Sequence, residues 1–353
     1  MHSKFLPYFL DPQNKGSLSY FDIESSGDNL LHGIFINASK GTCYPLMNGV
    51  PVFIPDAFPP GWVSKHYSKM DEFKGKYPGA RIQSSNAGLE WSFSSEWEAH
   101  SDKEMETTWG FTVQSRFEQF LLEVETNEQD IQSKMILDAG CGNGMLTEFF
   151  SGKGMKSFGI DFSNSVFAAE AKRKSDDVCF LRGDLQQPPF AENFFDFIVS
   201  NGVIHHTRNT EHTFHKLAMT VKKGGKFFIW LYERKGSMGW RFKRRIFDWL
   251  RIFISRMPLG FQKRIVGIFT RLIFTKYKLS GKKLDYQTVH VDMFDSLTPR
   301  WRHYHTPEEV SRWYFENGFG AVRLTHWDNR YGFGVYASKN PISKPPGEKW
   351  VVK

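Results

Sequence analysis

Residues 136–144 read Ile-Leu-Asp-Ala-Gly-Cys-Gly-Asn-Gly: a short apolar run, a carboxylate, then three glycines at alternate positions. No other stretch limits the fold as strongly. The apolar run suits a buried strand, and the glycines suit a tight turn in backbone conformations that other residues avoid. A helix is expected to start near Met145. Further apolar runs at 135–138, 157–160, 178–181, 195–200 and 226–232 alternate with helical segments, the pattern of a parallel sheet with crossover helices. Another helix begins at Thr306, with Pro307 in its first turn and Glu309 completing a capping box, and Gly318 stops it. Strands at 321–327 and 332–338 follow, close enough for a hairpin. The expected fold is a doubly wound, mostly parallel seven-stranded α/β sheet.

The glycine spacing separates two kinds of ligand. A dinucleotide turn has Gly-x-Gly-x-x-Gly, whose third glycine would fall at Met145. Here the glycines are Gly140, Gly142 and Gly144, which lets backbone amides come close to a ligand. Asp138 beside them would repel a pyrophosphate and welcome an ammonium or sulfonium, which suits S-adenosylmethionine. Asp161 ends the second strand and can accept both ribose hydroxyls. Asp184 follows the third strand and can accept from an adenine amino group. The fourth strand opens into Asn201-Gly202-Val203-Ile204-His205-His206-Thr207.

On these motifs the sequence resembles the class I S-adenosylmethionine-dependent methyltransferase family over about residues 110–340. The resemblance implies a Rossmann-like methyltransferase fold, with Gly140, Gly142 and Gly144 lining the methionine part of the cofactor. It implies Asp161 at the ribose, Asp184 and Leu185 at the adenine, and Asn201 and Val203 along the cofactor near the acceptor. His205 and His206 invite two readings: one is a general base for an acceptor hydroxyl, or both only shape the turn. Tyr304 and His305, in Pro299-Arg300-Trp301-Arg302-His303-Tyr304-His305, resemble a stretch that faces the acceptor in many such enzymes; anchoring the Thr306 helix is the alternative.

The flanks divide by composition. Residues 1–60 suggest a small β unit with strands at 19–23, 30–36 and 50–54. Its segment 43–55 is similar to the tail of a zinc-ribbon-like module associated with methyltransferases. The module's cysteine pairs are absent, so no metal is expected; only Cys43, Cys141 and Cys179 occur in the chain. Such sparse cysteines and the lack of a long apolar run suit a reducing compartment, with the cytoplasm as default. Residues 61–110 read as an irregular connection to a methyltransferase domain at 111–340.

Net charge is +8 over 353 residues, but residues 234–283 hold 15 Lys/Arg against Asp248 alone, leaving 8 − 14 = −6 for the rest. This basic insertion, at 234–300, shows two amphipathic helices. The apolar stripe of the first is Phe242, Ile246, Trp249, Leu250, Phe253, Ile254 and Met257, with Arg241, Lys243–Arg245, Arg251 and Arg256 largely elsewhere. The second follows Pro258-Leu259-Gly260. Such a pair fits a lid, a packed hairpin, or peripheral contact through 241–273 with the inner face of a membrane; RNA is the remaining partner. The function expected is methylation, on oxygen or nitrogen, of a small-molecule, sugar or lipid-linked acceptor. A tRNA-modifying enzyme and a non-catalytic cofactor-binding scaffold are the alternatives.

Overall fold

The computed structural model describes residues 1–54, 58–59, 61–82, 107–108, 111–235, 238–281, 286–325 and 332–340. Its main sheet has eleven strands: β1 (Ser19–Ser26), β2 (Asn29–Asn37), β3 (Thr42–Met47), β4 (Val50–Phe53), β5 (Met135–Ala139), β6 (Lys156–Asp161), β7 (Val178–Gly183), β8 (Phe195–Asn201), β9 (Val221–Tyr232), β10 (Phe319–Leu324) and β11 (Gly332–Lys339). They run in the order β1-β2-β3-β4-β7-β6-β5-β8-β9-β11-β10. The seven expected strands are the last seven of that row. β5 to β9 are mutually parallel, and β11 pairs antiparallel with both β9 and β10.

The sheet exceeds the seven expected strands because the N-terminal strands join it. β4 adds parallel to β7, with Val52 opposite Arg182 and Phe53 opposite Gly183. An unpaired β7 edge would expose a row of backbone donors and acceptors; β4 covers it. The sequence also conceals β3, because Pro45 and the turn before it interrupt the strand signal. Near the start of the chain, the buried Asp11 carboxylate ties loops together. It accepts from Asn37 Nδ2 at 2.8 Å, Thr42 Oγ1 at 2.9 Å and Tyr44 Oη at 2.9 Å.

Ten helices are used below: α1 (Trp62–Lys65), α2 (Tyr67–Lys76), α3 (Val113–Glu123), α4 (Met145–Gly152), α5 (Ser165–Ala171), α6 (Thr210–Thr220), α7 (Met238–Ile254), α8 (Leu259–Leu279), α9 (Tyr286–Leu297) and α10 (Pro307–Glu316). α1 and α2 lie in the stretch read as irregular. Residues 83–106 of it, and the 328–331 turn, lie outside the described residues. The Thr306 capping box is present: Thr306 accepts from Glu309 N, and the Glu309 carboxylate reaches back to Thr306 N.

Strand alternation sends side chains to two cores, which makes the sheet doubly wound. From β9, Phe227, Ile229 and Leu231 join Phe214, Leu217, Trp313 and Tyr314 of α6 and α10. Phe228 points the other way and joins Phe197 and Val199 against Phe117, Phe120 and Phe150 of α3 and α4.

The insertion has three helices where two were expected, since α9 follows α8. Ile254, Val266, Phe294 and Leu297 close a small core among them. The first apolar stripe therefore splits. Leu250 and Ile254 turn inward, while Phe242, Ile246, Trp249 and Phe253, spaced i, i+4, i+7 and i+11, face solvent. On α8, Phe261, Ile268 and Leu272 are also exposed. Two arginines read as basic rim belong inside. Arg251 is buried and donates to the Pro299 and Arg300 carbonyls at 2.8 and 2.9 Å. Arg244 lies over the Tyr304 ring, 3.4 Å from its centroid. A guanidinium serves there because it can satisfy several carbonyls or stack flat on a ring.

Candidate active site

β5 stands between β6 and β8, the point where the strand order reverses. An open α/β sheet has a crevice there, at the carboxyl ends of its strands. Asp138 in β5, Asp161 at the end of β6, Asp184 just past β7 and Asn201 at the end of β8 all lie along that edge.

The glycines have two distinct duties. Gly140 has φ 94°, and a Cβ there would lie 2.3 Å from the Val203 side chain, so the loop after β8 sits directly on the turn. A Cβ on Gly144 would meet Phe180 at 2.5 Å and Ala169 at 2.7 Å, so this glycine lets α4 approach β7 and α5. The turn's amides make hydrogen bonds within the chain. Gly140 and Cys141 donate to the Ile160 carbonyl at 2.8 and 3.2 Å, and Gly144 to the Cys141 carbonyl at 2.9 Å. Gly142 donates to Asp161 Oδ2 at 2.9 Å. Four amides that could cradle a phosphate are instead spent binding the turn to itself and to β6.

Asp138 is buried, and its Oδ2 accepts from Thr147 Oγ1 at 2.7 Å. Burial pushes its carboxyl up to about 6; the Thr147 hydrogen bond opposes the rise, the Asp161 charge adds to it and Arg116 opposes it. Asp161 also accepts from Ser163 N through Oδ1 at 2.8 Å. Two backbone amides thus fix this carboxylate while each oxygen retains acceptor capacity. Asp184 accepts from Gln186 N at 2.8 Å, which orients its half-buried side chain. Leu185 is part of the core beneath.

Asn201 is exposed at the end of β8. With its amide oxygen turned toward Arg116 it accepts from Nη2 and Nε at 3.1 and 3.3 Å. Arg116 also pairs with Glu123. Arg116 is a site residue that sequence reasoning misses. It precedes the first strand of the domain, and only the packing of α3 carries it to β8.

The histidines form one cluster with the linker before α10. His205 is fully buried, and neither ring nitrogen has a hydrogen-bond partner among the described residues. Burial drives its pKa well below the usual histidine value, with His206 and Arg302 acting in the same direction. Its ring lies 4.3 Å from that of His206 and 4.2 Å from that of Tyr232. His206 Nδ1 lies 3.0 Å from the Trp301 carbonyl. A carbonyl only accepts, so Nδ1 carries the hydrogen, while Nε2 is buried.

The linker is stitched to the same edge: His303 N donates to the His205 carbonyl at 2.9 Å and His305 N to the Tyr232 carbonyl at 3.0 Å. Tyr304 stacks on Tyr232 at 5.6 Å. Burial raises its pKa, while Arg302 and Arg244 oppose the rise. His305 is buried, with Nδ1 3.2 Å from Glu309 and its ring edge-on to Trp313 at 4.9 Å. Burial lowers its pKa, against the pull of Glu309. Of the two expectations for His305, these contacts describe an anchor for α10.

Comparison with known proteins agrees with this edge. Residues 137–229 match the family model described as a methyltransferase domain. This segment belongs to the methyltransferase domain family. S-adenosylmethionine is the cofactor of the class. Its demands fit what the edge offers: a buried carboxylate without a cationic hydrogen-bond partner among the described residues, and the fixed Asp161 carboxylate.

The chain is 25% identical to a demethylmenaquinone methyltransferase of Renibacterium salmoninarum, over 28% of this chain and 41% of that protein. It is 29% identical to a sterol 24-C-methyltransferase of Pneumocystis carinii, over 30% of each. The chain spans less than half the length of these curated relatives. A magnesium protoporphyrin IX methyltransferase structure from Synechocystis, with bound S-adenosylhomocysteine, aligns with 77% of this chain and 95% of its own at 13% identity and a TM-score of 0.40.

Proposed function

We propose that the whole chain is an S-adenosylmethionine-dependent methyltransferase whose acceptor is a small lipid-borne molecule, methylated at oxygen or nitrogen on a membrane surface. The observation that carries the catalytic part is the buried Asp138 carboxylate beside a glycine turn with four amides bonded within the chain, an arrangement that suits a cation better than a pyrophosphate. When bound, the cofactor supplies a methyl group made electrophilic by its sulfonium. The chain's residues do the rest. Asp161 holds the ribose, Asp184 and the backbone at Leu185 receive the adenine, and Val203 and Asn201 border the path to the acceptor. His206, half-buried in the loop after β8, is the base we assign to the acceptor's proton. Buried His205 holds the loop, and Tyr304 with His305 secures the linker. Rate comes mainly from holding two reactants in line and excluding water.

The acceptor part rests on the exposed apolar stripes of α7 and α8. Phe242, Trp249 and Phe253 are 68%, 78% and 66% exposed. Arg245, Arg256, Lys263, Arg264 and Arg271 are exposed on the same two helices. Helices that expose both aromatic residues and cations suit an anionic lipid surface, where the rings enter the interface and the cations meet headgroups. Among the described residues no helix is long and apolar enough to cross a membrane. Relatives named for demethylmenaquinone and sterol substrates accord with a lipid acceptor.

The test of the cofactor site is Asp161→Ala. Loss of two hydrogen bonds to a carboxylate should weaken S-adenosylhomocysteine binding about 10- to 150-fold by calorimetry on folded protein. Unchanged affinity would remove Asp161 from the ribose. Methyl transfer itself is read as S-adenosylhomocysteine released when the enzyme meets membrane extract; release at the uncatalysed rate would leave the chain a cofactor-binding scaffold.

A further inference from the structure

Far from the crevice, three residues converge that the methyltransferase reading does not use. Glu24, His32 and His66 each bring a ligand atom within 4.8 Å of the others. Glu24 of β1 faces His32 of β2 directly across the antiparallel pair. Its carboxylate lies 3.9 Å from His32 Nε2, too far for a hydrogen bond. The pairing register shifts on both sides of Glu24, and such a bulge re-aims a side chain. His66 comes from the junction of α1 and α2. Its Nδ1 lies 2.9 Å from the Trp62 carbonyl, so Nδ1 donates and Nε2 keeps its lone pair. A metal-binding imidazole is commonly oriented in this way by its other nitrogen. The two imidazoles lie with ring centroids 5.0 Å apart. His32 Nδ1 is buried with no hydrogen-bond partner among the described residues.

We infer that Glu24, His32 and His66 form a zinc site that clamps α1 and α2 onto the β1–β2 hairpin. Two imidazole nitrogens and one carboxylate oxygen are a common zinc set, with the fourth tetrahedral position left to water. One coordination position stays open, but the place of the site in the sheet gives the ion a bracing role. β2 stands five places from β5 in the sheet, about 24 Å at 4.8 Å a place, so an ion there cannot touch the reacting atoms. Beneath it lies the cluster of Phe21, Ile34, Phe58, Trp62, Met70 and Phe73, shared between the hairpin and the helices. A clamp over that cluster fixes two short helices whose own length would not hold them.

The test uses the full chain, stripped by chelator and shown to be folded by circular dichroism. Zinc titrated by calorimetry should bind at one equivalent and raise the melting temperature. His32→Ala and His66→Ala should each weaken binding by at least the roughly 10- to 100-fold that losing an outer-sphere partner costs. Glu24→Gln, at an exposed position, should do the same without unfolding, which covers the case in which a histidine variant fails to fold. A second grouping, Glu211, His215 and Glu316, could compete, so His215→Ala should leave the affinity unchanged. Absence of saturable zinc binding to the wild type overturns the site, as does binding that survives Glu24→Gln and both histidine variants or is lost in His215→Ala.

Discussion

At the scale of single residues, Asp138 carries the clearest pH signature. Its carboxyl titrates near 6 in the fold, against an ordinary value of 3.8, because it is buried. The folded state therefore binds more protons than the unfolded chain between these values. The stability this group lends is complete below pH 3.8 and is lost as pH rises through about 6, a change of roughly 3 kcal/mol. Asp138→Asn keeps an acceptor for Thr147 and sheds the charge. Without cofactor, the variant should be more stable than wild type by up to about 3 kcal/mol at pH 8, and the gap should close toward pH 4. Denaturant midpoints at both pH values measure this; a gap independent of pH would show that the carboxylate is not burdened by burial. The histidines make a second contrast. His206→Ala should lower turnover about 10²- to 10⁴-fold with cofactor affinity nearly unchanged, and added imidazole should restore part of it. His205→Ala should instead lower stability, since that ring is packed on all sides. Equal turnover for His206→Ala and wild type would remove the proposed base. The residues at the crevice were legible in sequence because each lies at or beside a strand end. Arg116 and Thr147 were not, since neither belongs to a motif and only helix packing brings them to Asn201 and Asp138.

At the scale of elements, the strands and the capped α10 helix follow from local pattern, whereas the insertion does not. Periodicity announced apolar stripes on α7 and α8 but could not say which residues would be covered, and the third helix made that choice. Ile254 and Val266 are buried against α9, while Phe242, Trp249 and Phe253 are left to solvent. Likewise, the arginines on α7 look alike in sequence, yet Arg251 is spent on the carbonyls of Pro299 and Arg300. The exposure makes an experiment decisive. Wild-type protein should sediment with vesicles containing anionic lipid, less so as salt screens the basic residues. Changing Phe242, Trp249 and Phe253 together to Ser should abolish sedimentation and leave the melting temperature nearly unchanged, because rings already in solvent lose little on removal. Wild type that ignores such vesicles at low salt rules out the membrane reading and returns the search to soluble acceptors.

For the whole molecule, the N-terminal strands and the methyltransferase domain share one sheet and one core. The alternating pattern showed the domain, but pairing between β4 and β7 joins segments some 130 residues apart, and no local signal encodes it. Sequence therefore suggested two units. The packing argues otherwise: Phe5, Phe9, Phe35 and Phe53 share a core with Phe158, Ile160, Leu181 and Phe190. Phe53 sits at the join, with its ring 5.1 Å from Phe9 and 5.3 Å from Phe35, fully enclosed. Phe53→Ala should cost about 3–5 kcal/mol, the usual penalty for emptying such a site. If the two parts fold as one, that loss must reach the crevice. The variant should unfold in a single transition by both tryptophan fluorescence and circular dichroism. Saturating S-adenosylhomocysteine should raise that whole transition, by an amount set by its concentration over its dissociation constant. Were the N-terminal strands an independent unit, Phe53→Ala would split the melt in two, and the cofactor would move only the half that contains Asp161.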